Sequence, residues 1–447
     1  MAELALAGGA PVRPQGYPAW PVHDEGDAET VAEVVRGGRW GGFPEPGPLA
    51  AAFAERFAAY QGSRHGVVMS NGTVTMEVAL KALRIGWGDE VIVPALTFAA
   101  TPYAAMAAGA LPVFCDVLPG TLTIDPDQVE AAVTARTRAI MPVHLGHQMA
   151  DMDRLTEVAR RHSLALVEDC AHAHGQRWRD RGAGCFGEFG SFSHQSSKIL
   201  TAGEGGSLLT DDEQLARRAH SLIDCGRPKD PDEKDHTFGS NYRLGELHAA
   251  LLLVALERFP GQQAERAAAG RRFQELAGGI PGVRLLPPDP RISRWSFYRY
   301  IVLIEPEAFA GVSNARVCQA LEAEGVGAWE GYQPMSRYDL FQPGLSRLPV
   351  AVEHAGRRVD GDEGNAGVQL GDFFPERSHG THHREIASRP VQSDQDREVL
   401  RGEGSGLALV CGRTAGVEHS VYQLEGAATH RTAEAAGPDR TAFHFVG

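Results

Sequence analysis

From residue 64 to about 210, short runs rich in β-branched residues alternate with stretches whose apolar residues recur at helical spacing, and no other feature of the chain constrains its fold so much. A steady succession of strand, helix and strand makes each strand return parallel to the last through a helical crossover. The chain must therefore build a mostly parallel sheet covered by helices, an α/β fold. "HGVVMS", "DEVIVPA", "LPVFCDV", "RAIMPVHL", "LALVEDCA" and "GSFSHQ" read as strands, with "TMEVALKALRI", "TPYAAMAAGA" and "DMDRLTEVARRHS" as helices between them. "YRLGELHAALLLVALER" then carries helical periodicity to residue 258, where "FPGQQ" is expected to end the helix.

The full 447 residues exceed what one hydrophobic core usually fills, and a second, smaller α/β unit follows the long helix. Its expected parts are a helix in "AERAAAGRRFQELAGG", a strand in "SFYRYIVLIE" and a helix in "NARVCQALEAEG". The division predicted is a large domain over 1–258, a small C-terminal domain over 259–352, and an atypical, disordered tail over 353–447. That tail is rich in Gly, Arg, His and acidic residues and shows little sustained period. It holds seven of the eighteen histidines, yet only His382 and His383 sit together, so no metal site is expected there.

A formal net charge of −14 argues against nonspecific nucleic-acid or anionic-membrane binding, which both need basic surfaces. Small molecules are the expected partners. The N-terminus lacks a basic segment followed by an apolar one, and no stretch has the length of a membrane-spanning helix, so a cytoplasmic location is expected. Six scattered cysteines without C-x-x-C pairing read as reduced thiols, neither a zinc site nor a disulfide framework.

In such a sheet, ligands collect where strands end at their carboxyl edge. After the first strand, Ser70, Asn71, Gly72 and Thr73 open a helix, which offers backbone N–H groups and the helix dipole to a phosphate; a plain N-cap explains the same residues as well. Phe98 follows the next strand, where an aromatic can stack on a flat ring or fill the core. Asp169 ends the apolar run "LALVE", where a carboxylate needs a cation or several donors. His172 is read as a hydrogen-bonding neighbour of the pocket and His174 as structural. Ser193 ends "GSFS" and can bind a phosphate oxygen, and Lys198 follows among small and apolar neighbours. A phosphate cradle, a stacking aromatic, a buried aspartate and a lysine nucleophile describe a pyridoxal phosphate (PLP) pocket.

"SNGTVTMEVALKALRIGWGDEVIVPALTFAAT", "VEDCAHAHG", "SFSHQSSKILTAGEGGSLLTDD" and "GSNYRLGELHAALL" together resemble the DegT/DnrJ/EryC1/StrS family of PLP-dependent aminotransferases, over roughly residues 5 to 350. The resemblance implies the type I PLP-dependent transferase fold and a homodimer with shared active sites. It implies that Lys198 takes the cofactor as a Schiff base and that Asp169 partners the pyridine nitrogen. His172 is implied near the cofactor's 3-hydroxyl, Gly72, Thr73 and Ser193 at its phosphate, Phe98 on its ring, and Asn241 of "SNYR" at the phosphate of the neighbouring subunit.

"MPVHLGHQMADMDRL" and "QSSKILTAGEGG" are similar to the branch containing 3-amino-5-hydroxybenzoate synthases and glutamine-dependent cyclitol aminotransferases. Amino transfer from glutamine or glutamate to a cyclitol or dehydroshikimate-like ketone is then the expected activity, with possible dehydration to an aminobenzoate. The alternative is a nucleotide-linked keto-sugar acceptor. A dehydratase or a non-transaminating PLP-binding protein fits less well, because dehydratase relatives replace the lysine with histidine. The chain departs from the family after "LPVA", where a closing helix and strand are expected and "VEHAGRRVDGDEGN" follows instead.

Overall fold

The computed structural model describes residues 3–229 and 237–341, together with the backbone of three later strands. Two helices come first, α1 (Glu25–Gly37) and α2 (Pro48–Gln61). The alternating region then runs β1 (His65–Met69), α3 (Gly72–Ala82), β2 (Glu90–Pro94), α4 (Ala100–Ala108), β3 (Leu111–Cys115), α5 (Pro126–Ala132), β4 (Thr137–Ile140), α6 (Met152–His162) and β5 (Ala165–Asp169). The short pair β6 (Arg177–Trp178) and β7 (Arg181–Gly182) precedes β8 (Phe189–Ser193), β9 (Gly206–Thr210) and α7 (Glu213–Ile223).

The central sheet has seven strands in the order β1-β9-β8-β5-β4-β2-β3. Only β9 runs against its neighbours, and the remaining pairs are parallel. Two antiparallel steps cancel, so β1 runs with β8, β5 and β2, and all four end at one edge. Alternate residues go to opposite faces. Val67, Val91, Val93 and Val167 join the layer with α3, α4 and α7, while Val68, Ile92, Ile140 and Leu166 pack with Phe53, Phe57 and Leu155 of α2 and α6. A sheet buried on both faces accounts for the near-continuous apolar strands in the sequence.

The long helix does not stop where the sequence predicts. It runs as α8 (Glu246–Ala277) with Pro260 inside it, so the helix expected in "AERAAAGRRFQELAGG" is its continuation and residues 258 and 259 lie within one helix. Proline removes one backbone hydrogen bond and disfavours a helix interior by about 3 kcal/mol. Here the ring is on an exposed face, while Leu256, Phe259 and Gln263 are buried on either side of it. Gln263 also accepts a 2.6 Å hydrogen bond from the Tyr60 hydroxyl. Burial on both sides of the proline outweighs the local penalty.

Beyond α8 come β10 (Val283–Leu285), β11 (Ile292–Arg294), β12 (Arg299–Ile304), α9 (Asn314–Ala323) and β13 (Ala328–Glu330). β11 pairs with β6 in a separate three-stranded sheet, β11-β6-β7, which ties this segment to the connection between β5 and β8. A smaller antiparallel sheet has the order β10-β12-β14-β13, and its third strand, β14 (Val368–Gly371), comes from the region expected to lack structure. That expectation is corrected here: β14 lies between β12 and β13, with Leu370 opposite both Tyr300 and Ala328. β15 (Leu407–Cys411) and β16 (Ser420–Leu424) form an antiparallel pair. The rest of the 353–447 segment, with His382 and His383, lies outside the described residues.

Among the described residues no helix is long and apolar enough to cross a membrane. Cys115, Cys170, Cys185, Cys225 and Cys318 are free thiols, four of them buried.

Candidate active site

Because β1, β2, β5 and β8 end at one edge, the residues following them converge there. At the start of α3, Asn71 caps the helix, its Oδ1 accepting from the N–H groups of Thr73 (3.1 Å) and Val74 (3.0 Å). The plain-cap reading is thus realised. It leaves Gly72 as the first helical residue, whose N–H has no intrahelical acceptor. A Cβ on Gly72 would lie 2.5 Å from Ser193 Cβ, closer than real side chains approach, so only glycine allows α3 and the end of β8 to meet here. Thr75 Oγ1 locks the junction, donating to the Gly72 carbonyl at 2.6 Å and lying 2.5 Å from Ser191 Oγ. Thr73 is exposed beside this junction. Helix dipole, Gly72 N–H and Ser193 hydroxyl form a cradle suited to a phosphate.

Asp169 closes β5 and is 5% exposed. Its Oδ2 accepts from Thr101 Oγ1 at 2.8 Å and its Oδ1 from the Ala171 N–H at 3.1 Å, and no cation pairs with it among the described residues. Burial raises its carboxyl above the usual range, with the two hydrogen bonds opposing. A buried carboxylate in this state favours a cationic or N–H partner.

Lys198 is half-buried, with Nζ 4.4 Å from the centre of the Tyr298 ring. The same ring stacks on His172 at 4.1 Å, and its hydroxyl is 2.8 Å from Ser197 Oγ. Burial lowers the Lys198 amine below the usual ammonium value; Arg299 pushes the same way, while Tyr298 and Asp169 oppose. Burial likewise holds His172 well below its ordinary value, helped by the charges of Lys198 and Arg299, so the ring is neutral. The Gly146 N–H donates to His172 Nδ1 at 3.1 Å, which puts the imidazole proton on Nε2, 3.4 Å from the Tyr332 hydroxyl. His174, read as structural, is buried with Nε2 bonded to the Ser193 carbonyl at 2.8 Å.

Two predicted residues stand apart from this group. Phe98 is 58% exposed and so is not core; its ring lies 5.9 Å from that of Tyr332. Asn241 is exposed, with its backbone bridged to Asp224. Its neighbour Tyr242 accepts from the Ser70 N–H at 2.8 Å, which brings the "SNYR" segment to the end of β1. Tyr298, Arg299 and Tyr332 were missed by sequence reasoning. All three come from the smaller unit, more than ninety residues beyond Lys198, and only the strand reading of "SFYRYIVLIE" bears on the first two.

The side chains of His144, Glu168 and Cys170 also come together, their ligand atoms within 4.8 Å of one another. Glu168 already accepts from His144 Nε2 and the N–H groups of Gly184, Phe186 and Gly187, and His144 Nδ1 accepts from Ala150 N–H. These lone pairs are committed, so the cluster ties the 144–150 and 184–187 loops to β5.

Comparison with known proteins adds to this geometry. Residues 21–359 match the model of the DegT/DnrJ/EryC1/StrS aminotransferase family. An L-glutamine:2-deoxy-scyllo-inosose aminotransferase of Micromonospora echinospora is 40% identical over 388 residues, covering 80% of this chain and 92% of the relative. An L-glutamine:scyllo-inosose aminotransferase of Streptomyces griseus is 38% identical over 372 residues, covering 80% and 88%. The crystal structure of 3-amino-5-hydroxybenzoic acid synthase superposes with a TM-score of 0.68 at 33% identity, covering 79% of this chain and 92% of that one.

Proposed function

The chain belongs to the DegT/DnrJ/EryC1/StrS aminotransferase family, and from that premise we propose that it uses PLP to move the amino group of L-glutamine or L-glutamate to a ketone on a cyclitol ring. The observation that carries the acceptor class is the likeness to two scyllo-inosose-type aminotransferases along most of both chains. The residues at the sheet edge suit the cofactor. Gly72, Thr73 and Ser193 would hold the phosphate in a cradle that a Cβ at residue 72 would fill, Asp169 would meet the pyridine nitrogen, and Lys198 would receive the aldehyde. Phe98, exposed at the same edge, would cover the ring.

When bound, PLP supplies an aldehyde that condenses with amines and a ring that accepts an electron pair. The chain's residues do the rest. Lys198, with its amine shifted toward the neutral form by burial, is the nucleophile and then the base that moves a proton on and off the substrate carbon. Asp169 holds a proton on the ring nitrogen, because its buried charge is stabilised by an N–H partner. Neutral His172, fixed through Gly146, keeps Tyr298 stacked beneath the Lys198 amine.

Half-reactions on the holoenzyme test the reading. L-Glutamine or L-glutamate should convert the bound cofactor to its amine form, and scyllo-inosose or its 2-deoxy analogue should return it. Conversion only with nucleotide-linked keto-sugars, or only with an amino-dehydroshikimate ring, would sink the cyclitol assignment.

The proposal extends to a homodimer with shared sites. Phe43 is 64% exposed with its ring 5.9 Å from the Arg243 guanidinium carbon, and Phe238, three residues before Asn241, is 87% exposed; exposed aromatics of this kind suit a second copy. Lys198→Ala and Asn241→Ala subunits, each inactive alone, are then expected to regain up to about a quarter of wild-type activity when co-assembled. Mixed dimers with no recovery would remove the support for a shared site.

A further inference from the structure

Arg299 opens β12, with its guanidinium carbon 3.5 Å from the centre of the Trp329 ring and 4.7 Å from that of Tyr298. Lys198 Nζ lies 4.4 Å from the centre of the same Tyr298 ring. The guanidinium and the reactive amine therefore share one aromatic neighbour, and the arginine's charge is felt by Lys198, His172 and Tyr332.

Unlike Arg258, Arg243 and Arg291, each paired with an aspartate, Arg299 has no carboxylate within ion-pair distance among the described residues. Its Nε is buried without a hydrogen-bond partner. A guanidinium stays protonated throughout the working pH range, and one with a buried donor left over calls for an anion.

Three components of the proposed reaction could meet it, and their charges favour one. The phosphate is accounted for by Gly72 and Ser193 at the start of α3. A cyclitol ketone is a neutral polyol. The amino donor alone carries a carboxylate next to the amine that must reach Lys198.

We infer that Arg299 selects the amino donor by receiving the α-carboxylate of L-glutamine or L-glutamate between Trp329 and Tyr298, an inference that rests on the function proposed above. The planar fork of arginine matches a carboxylate with two parallel N–H donors, and the flanking rings exclude water from the pair. Tenancy by a donor also explains the position. The α-carboxylate and the reacting amine sit on one carbon, so their receptors must be close together.

The experiment uses PLP-loaded enzyme and two unreactive probes, glutaramate, which is glutamine without its amine, and glutaramide, in which the carboxylate is replaced by a carboxamide. Calorimetric titration of Arg299→Gln should show glutaramate binding weakened about 30-fold or more, with glutaramide changed less than about threefold. Arg299→Lys, which keeps the charge but loses the fork, should fall between them, weakening glutaramate about tenfold. It also carries the comparison if Arg299→Gln does not take up PLP. Equal effects on both probes, unchanged glutaramate affinity, or a loss confined to the KM of the keto acceptor would overturn the inference. If wild-type enzyme binds no PLP, the proposed function fails first; if it binds PLP and transaminates while glutaramate ignores residue 299, only the donor assignment falls.

Discussion

Lys198→Ala is expected to lower transamination by about 10,000-fold or more while leaving the fold intact, because in the proposed reaction one side chain would serve as both nucleophile and proton carrier. Truncation removes little structure. Lys198 is anchored through its backbone N–H, which donates to the Gln195 carbonyl at 2.8 Å, and Tyr298 keeps its partners at Ser197 and His172. The chain has four lysines, Lys81, Lys198, Lys229 and Lys234. Lys81 is paired with Glu77 and Lys229 with Asp224, whereas Lys234 lies outside the described residues. Lys198 is thus the described lysine held against an aromatic ring in place of a carboxylate. Borohydride reduction of the holoenzyme followed by peptide mapping should place the pyridoxyl group on the segment containing Lys198, and the alanine variant should carry none. A label on another lysine, or turnover retained in Lys198→Ala, would refute the assignment.

Much of this arrangement was legible in the sequence because parallel α/β sheets present chemistry where strands end. Asp169, Ser193 and Gly72 could be placed by finding the last apolar residue of each run. The polar groups that complete the pocket could not. Tyr298 and Tyr332 come from the smaller unit, and nothing in their local pattern distinguishes an aromatic that stacks on His172 from one that fills a core. Pro260 misled for a related reason. Helix propensity is local, while the burial of Phe259 and Gln263 that carries α8 through the proline depends on α2, about two hundred residues earlier. β14 was missed because four residues are too few to show a period, and a strand paired on both sides draws its order from its neighbours' backbones. The cap at Asn71 shows the converse: the two explanations offered for one motif do not compete, since the Asn71 side chain takes the N–H groups of Thr73 and Val74 and leaves the Gly72 N–H for the phosphate proposed above.

Asp169→Asn is expected to act in opposite directions on stability and on catalysis. In the folded chain burial raises the Asp169 carboxyl above its unfolded value, so this residue's contribution to stability is fully present below the ordinary carboxyl pKa of about 3.9 and is lost as pH rises through the raised folded value. Wherever the apoenzyme holds Asp169 ionised, burial disfavours that charge. Asparagine removes that charge and keeps the contacts: its Oδ1 can accept from the Ala171 N–H, and its Nδ2 can donate to Thr101, which turns its own hydroxyl to Thr97, 2.9 Å away. Without PLP the variant should be more stable than wild type by about 1 kcal/mol at pH 7, with the difference vanishing below the carboxyl range. With PLP the order reverses, because asparagine offers the ring nitrogen no charge to hold its proton, and kcat should fall on the order of 100- to 1,000-fold. Thermal unfolding of both proteins from pH 3 to 8, with and without cofactor, reads the effect on stability, and steady-state kinetics of the holoenzymes read the effect on catalysis. A variant less stable than wild type without PLP at pH 7, or as active as wild type with it, would mean that Asp169 serves the fold through its hydrogen bonds to Thr101 and Ala171 and that another group partners the cofactor.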